Sequence, residues 1–354
     1  MSFFRPTIDL LRAYTPGRQP GAGARVIKLN TNENPYPPSP RAVEALRALD
    51  PGQLRRYPHP FGDEFRRAAA SVVGVDPTWV LAGNGSDDLL TLLVRATAGP
   101  GRPVVYPTPT YVLYRALAAI QDAPVVEVPF DTDFALPVDR LAAAAGALTF
   151  VANPNSPSGT VASHERLSAL ATALDGVLVV DEAYAAFAEE DALALLETHP
   201  NMVILRTLSK SHALAGLRLG YAIAHPTLLE GLAKVKDSYN VGAVAACVGS
   251  AAILDTAHTA TTVARIQRNR AQLTEALQRL GCRVWPSQAN FVLVRPPHGD
   301  AARVYSELER QGILVRYFDE PALAETLRIT VGTRAEHQAL IAALTAILGP
   351  MDSA

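Results

Sequence analysis

Between residues 79 and 224 the chain alternates short apolar runs with helical patterns, and this alternation is the strongest constraint on its fold. The runs are rich in Val, Ile and Leu and occupy 79–82, 103–106, 124–128, 148–152, 177–181, 202–207 and 219–224. Helical patterns lie between most of them, for example at 87–98 and 164–174. Such alternation is typical of βαβ units, so we predict an α/β fold with a mostly parallel sheet sandwiched by helices.

The pattern changes on either side of this region, which suggests three parts. Residues 1–35 contain many Pro and Gly residues and are predicted to form an extended arm followed by turns. Residues 36–240 form the predicted large domain. Residues 241–354 form a smaller α+β domain, against which the arm packs. Its predicted helices are 242–254, 261–280, 300–311 and 334–347, and its predicted strands are 290–295, 313–318 and 326–332.

Composition excludes several classes of function. The net charge of −2 gives no basic surface for nucleic acid or membrane. The two cysteines, Cys247 and Cys282, have no metal-binding spacing, and we expect no bound metal. The first residues, MSFFRPTIDL, do not resemble a signal peptide, and the apolar stretch at 243–254 is too short to span a membrane. We therefore expect a cytoplasmic protein.

Polar residues follow several of the predicted strands. They lie at 83–87, 153–159, 181–184 and 207–210. In open α/β sheets, ligands bind in a crevice outside the carboxyl ends of the strands. The four segments are therefore predicted to meet at one ligand site.

The segment TLSKSHALAGLRLGY, residues 207–221, contains the most informative lysine, Lys210. A buried lysine is costly unless it is paired or chemically used, and a lysine amine forms a Schiff base with an aldehyde cofactor. Ser209 offers a hydroxyl, and Arg218 offers a planar guanidinium that suits phosphate. The alternative for the lysine is a surface position in a serine-rich loop.

The segment VLVVDEAYAAF, residues 177–187, places Asp181 at the end of an apolar strand. Burying a carboxylate there is costly unless a ligand uses it. A cofactor with a pyridine ring would use it, because the carboxylate keeps the ring nitrogen protonated. Tyr184 would then lie within reach of a hydroxyl on the same ring. A helix cap and a metal ligand are the alternatives for this aspartate.

Three weaker signals accompany these two. In LAGNGSDDLLTLLV, Gly85 and Ser86 lie at a strand-to-helix turn where free N–H groups face an anion, although a plain N-cap also explains them. This is not a dinucleotide fingerprint, since Asp88 occupies the third glycine position. NPNSPSG (153–159) is a polar turn that presents Asn155, and PTYVLY (109–114) places Tyr111 where an aromatic face stacks on a flat cofactor. Polar turns and core tyrosines are common in any fold.

Together these segments resemble the aspartate aminotransferase superfamily of fold-type I enzymes that use pyridoxal 5′-phosphate (PLP), and more closely the class II histidinol-phosphate aminotransferase family. The motifs that resemble this family, in its order, are LNTNENPYPPSP, RRYP, GNGSDD, PTY, NPNSPSGT, VVDEAY, RTLSKSHALAGLRLGY, GILVR and LRITVGTR. They extend over nearly the whole chain. The resemblance implies amino transfer from L-histidinol phosphate to 2-oxoglutarate in histidine biosynthesis.

The resemblance also implies residue roles. Lys210 resembles the Schiff-base lysine, Asp181 the partner of the pyridine nitrogen and Tyr184 the donor to the ring hydroxyl. The implied cofactor contacts are Gly85, Ser86, Asp87, Tyr111, Asn155, Ser209, Arg218 and, from the neighbouring subunit of a homodimer, Tyr57. The implied substrate contacts are Tyr14, Asn34, Arg316 and Arg328. The family often has Asn where this chain has Ser156, so either Asn155 or Ser156 contacts the ring hydroxyl, and Asn155 is favoured.

Other functions remain open on the sequence alone. On the same scaffold, the chain resembles an aromatic amino-acid aminotransferase or an enzyme of the threonine-phosphate decarboxylase type. A catalytically silent PLP-fold binding protein is a third alternative, although Lys210, Asp181 and Arg218 are all present. The alternative role for Arg316 and Arg328 is in structural ion pairs. A metalloprotease or a Ser/His/Asp hydrolase is not indicated, because the eight histidines show no HExxH pattern and the chain has no GxSxG turn.

Overall fold

The computed structural model describes residues 2–11, 19–21, 23 and 25–349. The helices are α1 Pro6–Leu10, α2 Pro40–Arg47, α3 Asp63–Val73, α4 Ser86–Thr97, α5 Leu113–Ile120, α6 Val138–Ala143, α7 His164–Ala173, α8 Pro226–Ala233, α9 Ala243–Leu254, α10 Thr256–Arg279, α11 Ala301–Arg310 and α12 Arg334–Leu348. The strands are β1 Ile27–Lys28, β2 Val80–Gly83, β3 Val104–Thr108, β4 Val125–Pro129, β5 Leu148–Ala152, β6 Val177–Asp181, β7 Met202–Thr207, β8 Gly220–Ala224, β9 Arg283–Val284, β10 Phe291–Arg295, β11 Ile313–Leu314, β12 Arg316–Tyr317 and β13 Leu327–Thr330.

The large sheet has seven strands in the order β2-β8-β7-β6-β5-β3-β4. The neighbours from β7 to β4 pair in parallel, whereas β8 is antiparallel to both of its neighbours. The prediction of a mostly parallel sheet is confirmed. The carboxyl ends of β5, β6 and β7 therefore lie side by side, and the polar segments that follow them share one edge.

Helices cover both faces of this sheet, as predicted. Along β6, Leu178 and Val180 pack into one core with α3, α6, α7 and α9, whereas Val179 packs into the other with α4, α5 and α8. This separation follows from the two-residue period of a strand, which sends successive side chains to opposite faces. Since both faces are buried, the strands are apolar throughout, which explains why they were recognisable as continuous runs.

The small sheet has the order β12-β13-β10-β9 and is antiparallel. The predicted strand at 313–318 is wrong in one respect, because it divides between two sheets. Ile313–Leu314 pairs in parallel with β1, and Arg316–Tyr317 pairs with β13.

The arm also differs from the extended segment that was predicted. It contains the short helix α1, where Pro6 at the first helical position favours helix initiation. It also contains β1, where the N–H of Ile27 donates to the Gly312 carbonyl and the N–H of Leu29 to the Leu314 carbonyl. Pairing with a distant strand is invisible in the local sequence.

Helix α9 lies beyond the predicted boundary at residue 241 but packs on the large domain. Its residues Ala246, Val248 and Ala252 belong to the same buried cluster as Phe65 of α3. The small domain has a separate core built from α10, α11, α12 and the small sheet. The domain boundaries themselves stay a prediction.

Within the described residues, no single helix is long and apolar enough to cross a membrane. Only α9 and α10 taken together meet that length and composition, and they are bent by 74° at their junction. Over the same residues, no group of three or more His, Cys, Asp or Glu side chains is arranged to hold a metal ion.

Candidate active site

A cavity of about 240 Å³ lies at the carboxyl ends of the large-sheet strands, between the two domains. Its walls come from three separate parts of the chain, namely the arm, the large domain and the small domain. They include Asn30–Glu33, Ser86, Asp87, Tyr111, Ser156, Asp181, Tyr184, Ser209, Lys210, Arg218, Arg316, Phe318 and Arg328. The four predicted polar segments therefore meet at one site, as the α/β pattern indicates.

Asp181 ends β6 and is only 5% exposed, yet it lines the cavity. Its Oδ2 accepts a hydrogen bond from the Tyr114 hydroxyl at 2.8 Å, and its Oδ1 accepts one from the Ala183 N–H at 3.2 Å. Burial raises the pKa of Asp181 to about 6, and these two hydrogen bonds oppose the rise. A buried carboxylate of this kind favours a cationic or N–H donor ligand.

Lys210 lies on the loop after β7, and its Nζ reaches into the same cavity. The ammonium donates to the Thr31 carbonyl at 3.2 Å and lies 5.7 Å from the centre of the Tyr184 ring. Asn34 does not line the cavity; its amide donates to the carbonyls of Lys210 and Ser211 at 3.0 and 3.1 Å. Asn34 therefore holds the lysine loop in place rather than facing a ligand directly.

An anion site is formed where α4 begins. Gly85 precedes the helix with φ +87°, and a Cβ at this position would lie 2.9 Å from the Arg218 Nη2. Arg218 bonds the Asp87 carboxylate at 3.1 Å and reaches the Ser209 hydroxyl at 3.5 Å. The first N–H groups of α4, its positive dipole end and a guanidinium suit a phosphate group. Gly85 itself is a close neighbour of the cavity wall rather than part of it.

Two tyrosines complete the wall that faces these groups. The Tyr111 hydroxyl donates to the Asp87 Oδ1 at 3.2 Å. The Tyr184 hydroxyl accepts a hydrogen bond from the Asn32 amide at 2.9 Å. The structure thus brings a flat aromatic surface and a phenol to the space between Asp181 and Lys210.

The turn after β5 distinguishes Asn155 from Ser156. The Asn155 amide bonds inside the turn, accepting from the Thr110 hydroxyl at 2.8 Å and donating to the Ser158 hydroxyl at 2.9 Å. Ser156 lines the cavity and accepts from Arg328 at 2.9 Å, whereas Asn155 is not part of the cavity wall. The geometry therefore favours Ser156 over Asn155, contrary to our preference from the sequence. The Asn155 amide is already bonded within the turn, and which residue contacts the ring hydroxyl stays a prediction.

The opposite wall carries two arginines around one aromatic ring. The guanidinium groups of Arg316 and Arg328 lie 5.2 and 5.5 Å from the centre of the Phe318 ring. Arg328 also donates to the Asn30 carbonyl at 3.1 Å. Two cations at one end of a cavity suit a dianion better than a single carboxylate.

Two predicted residues remain, Tyr57, which the resemblance assigns to the neighbouring subunit's site, and Tyr14. Tyr57 is 81% exposed and stacks on Tyr239 with the ring centres 4.5 Å apart, outside the cavity. Tyr14 lies outside the described residues.

Tyr114, Asn32 and Phe318 were missed by the reasoning from the sequence. A signal existed for Tyr114, which lies in the same PTYVLY segment as Tyr111 and whose ring contacts the Tyr111 ring. Asn32 lies within the recognised motif LNTNENPYPPSP, and Phe318 lies two residues after GILVR, but nothing in their spacing indicates that they approach the site.

These groups fit PLP. A buried carboxylate with no Lys or Arg ion partner among the described residues suits the pyridine nitrogen. The α4 terminus with Arg218 suits the phosphate, the Tyr111 ring suits the flat face, and Lys210 suits the aldehyde. The prosthetic group and the pocket thus match in charge, shape and chemistry.

Comparison with known proteins extends these observations. A family model described as aminotransferase class I and II matches residues 24–344. Histidinol-phosphate aminotransferase 1 of Trichormus variabilis is 51% identical, covering 98% of this chain and 99% of that protein. The histidinol-phosphate aminotransferase of Rhodopirellula baltica is 46% identical over 93% of this chain and 91% of its own length. A crystal structure of the Sinorhizobium meliloti histidinol-phosphate aminotransferase with PLP has a TM-score of 0.90 at 28% identity and covers 98% of both chains.

Proposed function

We propose that this chain, which belongs to the histidinol-phosphate aminotransferase family within the class I and II aminotransferases, transfers the amino group of L-histidinol phosphate to 2-oxoglutarate. The products are imidazole acetol phosphate and L-glutamate. The observation that carries this proposal is the pair Arg316 and Arg328, which lies in the same cavity as Lys210 and Asp181. The fold is that of the fold-type I PLP enzymes, and PLP is the cofactor.

When bound, PLP supplies a protonated pyridine ring that withdraws electrons from the substrate carbon. Asp181 holds the proton on the pyridine nitrogen, which favours an ionised carboxylate despite its burial. The N–H groups of Ser86 and Asp87, the Ser209 hydroxyl and the Arg218 guanidinium would hold the phosphate, with Gly85 behind them. Tyr111 would stack on the ring, and Tyr184 would donate to the ring hydroxyl, for which Ser156 is a second candidate partner.

Lys210 moves the proton in this proposal. Its amine removes the proton from the carbon that carries the substrate's amino group, acting as a general base within hydrogen-bonding reach. The Asn34 bonds to the loop carbonyls keep the amine in that position. Lys210→Ala is therefore expected to abolish turnover while leaving the fold intact, and full activity in this variant contradicts the assignment.

Arg316 and Arg328 bind the two substrates in turn. The phosphate of histidinol phosphate accepts from both guanidinium groups, and the carboxylate of the 2-oxo acid pairs with Arg328. The Phe318 ring contacts both guanidinium groups, which favours their cationic form at this end of the cavity.

We also propose a homodimer in which Tyr57 reaches the neighbouring active site. Its exposed ring, which does not line its own cavity, supports this arrangement. The dimer is checked by sedimentation of the purified protein, and Tyr57→Phe is expected to weaken PLP binding. A monomer with full activity contradicts it. The cytoplasmic location and the substrate role of Tyr14 stay predictions.

The amino donor is tested by comparing L-histidinol phosphate with phenylalanine and tyrosine, with 2-oxoglutarate as acceptor. We expect a kcat/KM at least about a hundredfold higher for histidinol phosphate, because two charged hydrogen-bond donors meet its phosphate. Preference for the aromatic donors identifies an aromatic aminotransferase, and release of carbon dioxide identifies a decarboxylase.

The phosphate clamp is tested by Arg316→Ala, with Arg295→Ala as the matched control. Arg295 lies on β10 of the same small sheet but outside the cavity, paired with Glu325 at 2.7 Å. Arg316→Ala is expected to raise the KM for histidinol phosphate and leave the half-reaction with glutamate nearly unchanged. Equal effects of the two substitutions contradict the clamp.

A further inference from the structure

Tyr114 is a fully buried tyrosine of α5 whose hydroxyl points at the functional carboxylate. Its hydroxyl donates to the Asp181 Oδ2 at 2.8 Å. Its ring stacks on Phe150 with the centres 4.5 Å apart and the planes within 9°. It also meets the Tyr111 ring edge-on, at 5.6 Å and 85°. One side chain thus contacts the carboxylate and the stacking ring of the site.

The strand period explains why Tyr114 and Asp181 meet. Asp181 follows Val179 by two residues on β6, and Val179 faces the core that α5 covers. Among the described residues, Tyr114 is the only side chain that donates a hydrogen bond to this carboxylate; the Ala183 N–H supplies the other. A buried phenol needs an acceptor, and a buried carboxylate needs donors, so each group satisfies the other.

We propose that Tyr114 is the positioning residue of the Asp181 carboxylate. It fixes Oδ2 and so presents the remaining acceptor positions of the carboxylate to the pyridine nitrogen of PLP. Through its edge contact with Tyr111 it also sets the stacking ring relative to that carboxylate. This inference rests on the proposed function, because it assigns Asp181 to the cofactor.

The ionisation of both groups agrees with this role. Burial raises the pKa of Tyr114 well above its ordinary value, so the phenol stays a neutral donor near neutral pH. The Tyr114 hydrogen bond lowers the pKa of Asp181 against the rise that burial causes, while Asp87 raises it and Lys210 lowers it. Tyr114 therefore favours the ionised carboxylate that a pyridinium requires.

The test is Tyr114→Phe, with Tyr106→Phe as the matched control. Both tyrosines are buried in the same cluster, and each donates one hydrogen bond to a carboxylate. Tyr106, however, bonds the Glu127 Oε1 at 2.9 Å and not Asp181. Each substitution keeps the ring and removes only a buried hydroxyl, so a difference between them reports the bond to Asp181.

The readout is the ¹⁵N resonance of the pyridine nitrogen in holoenzyme that carries ¹⁵N-labelled PLP. In Tyr114→Phe we expect this resonance to move toward that of neutral pyridine, and PLP affinity to fall about tenfold. In Tyr106→Phe neither changes. In an Asp181→Asn background, Tyr114→Phe has no further effect. A Tyr114→Phe holoenzyme with the wild-type resonance and affinity overturns the inference.

A second measurement keeps the hydroxyl in place. With 3-fluorotyrosine at position 114, the ¹⁹F resonance is expected to shift on Asp181→Asn, because the hydroxyl loses a charged acceptor. An unchanged ¹⁹F resonance overturns the inference even where Tyr114→Phe does not fold. Failure of the wild-type chain to bind labelled PLP is a separate outcome, which refutes the proposed function as well.

Discussion

Asp181 and Glu182 are adjacent buried carboxylates, but their hydrogen-bond and ion-pair partners differ. Glu182 accepts from the Nε of Arg206 at 2.9 Å and from the Ala192 N–H at 2.5 Å. Arg206 in turn pairs with Asp191 at 2.7 Å. Asp181 has no such ion pair among the residues described, only neutral donors and a cavity. The partner, and not the residue type or its burial, distinguishes a structural carboxylate from one held for a ligand.

Burial raises the pKa of both acids, but different groups oppose the rise. For Glu182 the charge of Arg206 is the largest opposing cause, and for Asp181 it is the hydroxyl of Tyr114. A permanent cation fills its partner's acceptor sites and leaves nothing for a ligand. A neutral hydroxyl orients the carboxylate and leaves its charge uncompensated.

The largest expected difference is in catalysis. Asp181→Asn should lower kcat about a thousandfold, because an amide does not keep the pyridine nitrogen protonated. Glu182→Gln should retain most of kcat, since Glu182 does not line the cavity. Steady-state kinetics of the two purified variants measure this contrast. Comparable losses of kcat in both remove the distinction between the two carboxylates.

The free energy of unfolding should show the reverse order, with the larger loss in Glu182→Gln and none in Asp181→Asn. Glu182→Gln leaves the buried Arg206 without its main partner and should lower the free energy of unfolding by about 3 kcal/mol. Asp181→Asn should cause no loss at pH 7, because it removes an uncompensated buried charge. Guanidinium unfolding of the cofactor-free chains gives both values. A more stable Glu182→Gln protein contradicts a structural role for the ion pair.

The pH dependence of unfolding should isolate Asp181. Its folded pKa of about 6 lies above the ordinary 3.8, so the folded chain holds this proton more tightly than the unfolded chain. The resulting stability is present below about pH 4 and is lost as the pH rises to about 6, a change of about 3 kcal/mol. The difference between wild type and Asp181→Asn, followed from pH 4 to 7 without cofactor, should show this fall. A pH-independent difference contradicts it.

The smallest effect is expected at the outer end of the Glu182 network. Asp191 pairs with Arg206 but is 42% exposed, so water screens the interaction. Asp191→Asn should lower the free energy of unfolding by less than about 1 kcal/mol. A loss as large as that of Glu182→Gln means that the three charges act as one unit, which a double-mutant cycle then measures.

Much of the large domain was predictable because its strands are buried on both faces. The runs at 148–152, 177–181 and 202–207 coincide with β5, β6 and β7. Continuous apolar runs bounded by polar turns carry that information locally. The convergence of Asp181 and Lys210 followed from the same pattern, because parallel strands end at one edge.

The remaining features depend on contacts between distant residues. Three features have no local signature: the antiparallel direction of β8, the division of 313–318 between two sheets, and the contact of Phe318 with two arginines. From the sequence, either Asn155 or Ser156 was a candidate for the ring hydroxyl, and Asn155 was favoured. The structure uses the Asn155 amide to close its own turn, and a competition of this kind is settled only by the folded geometry.

The pairing of β1 with β11 has a consequence for protein synthesis. Ile27 leaves the ribosome 286 residues before its partner Ile313. At about 5–20 residues per second, β1 waits roughly 15–60 s before its partner strand exists. During that time the large sheet, whose strands all lie between residues 80 and 224, is already complete in sequence. The arm therefore pairs with the small domain only after all strands of the large sheet have been synthesised.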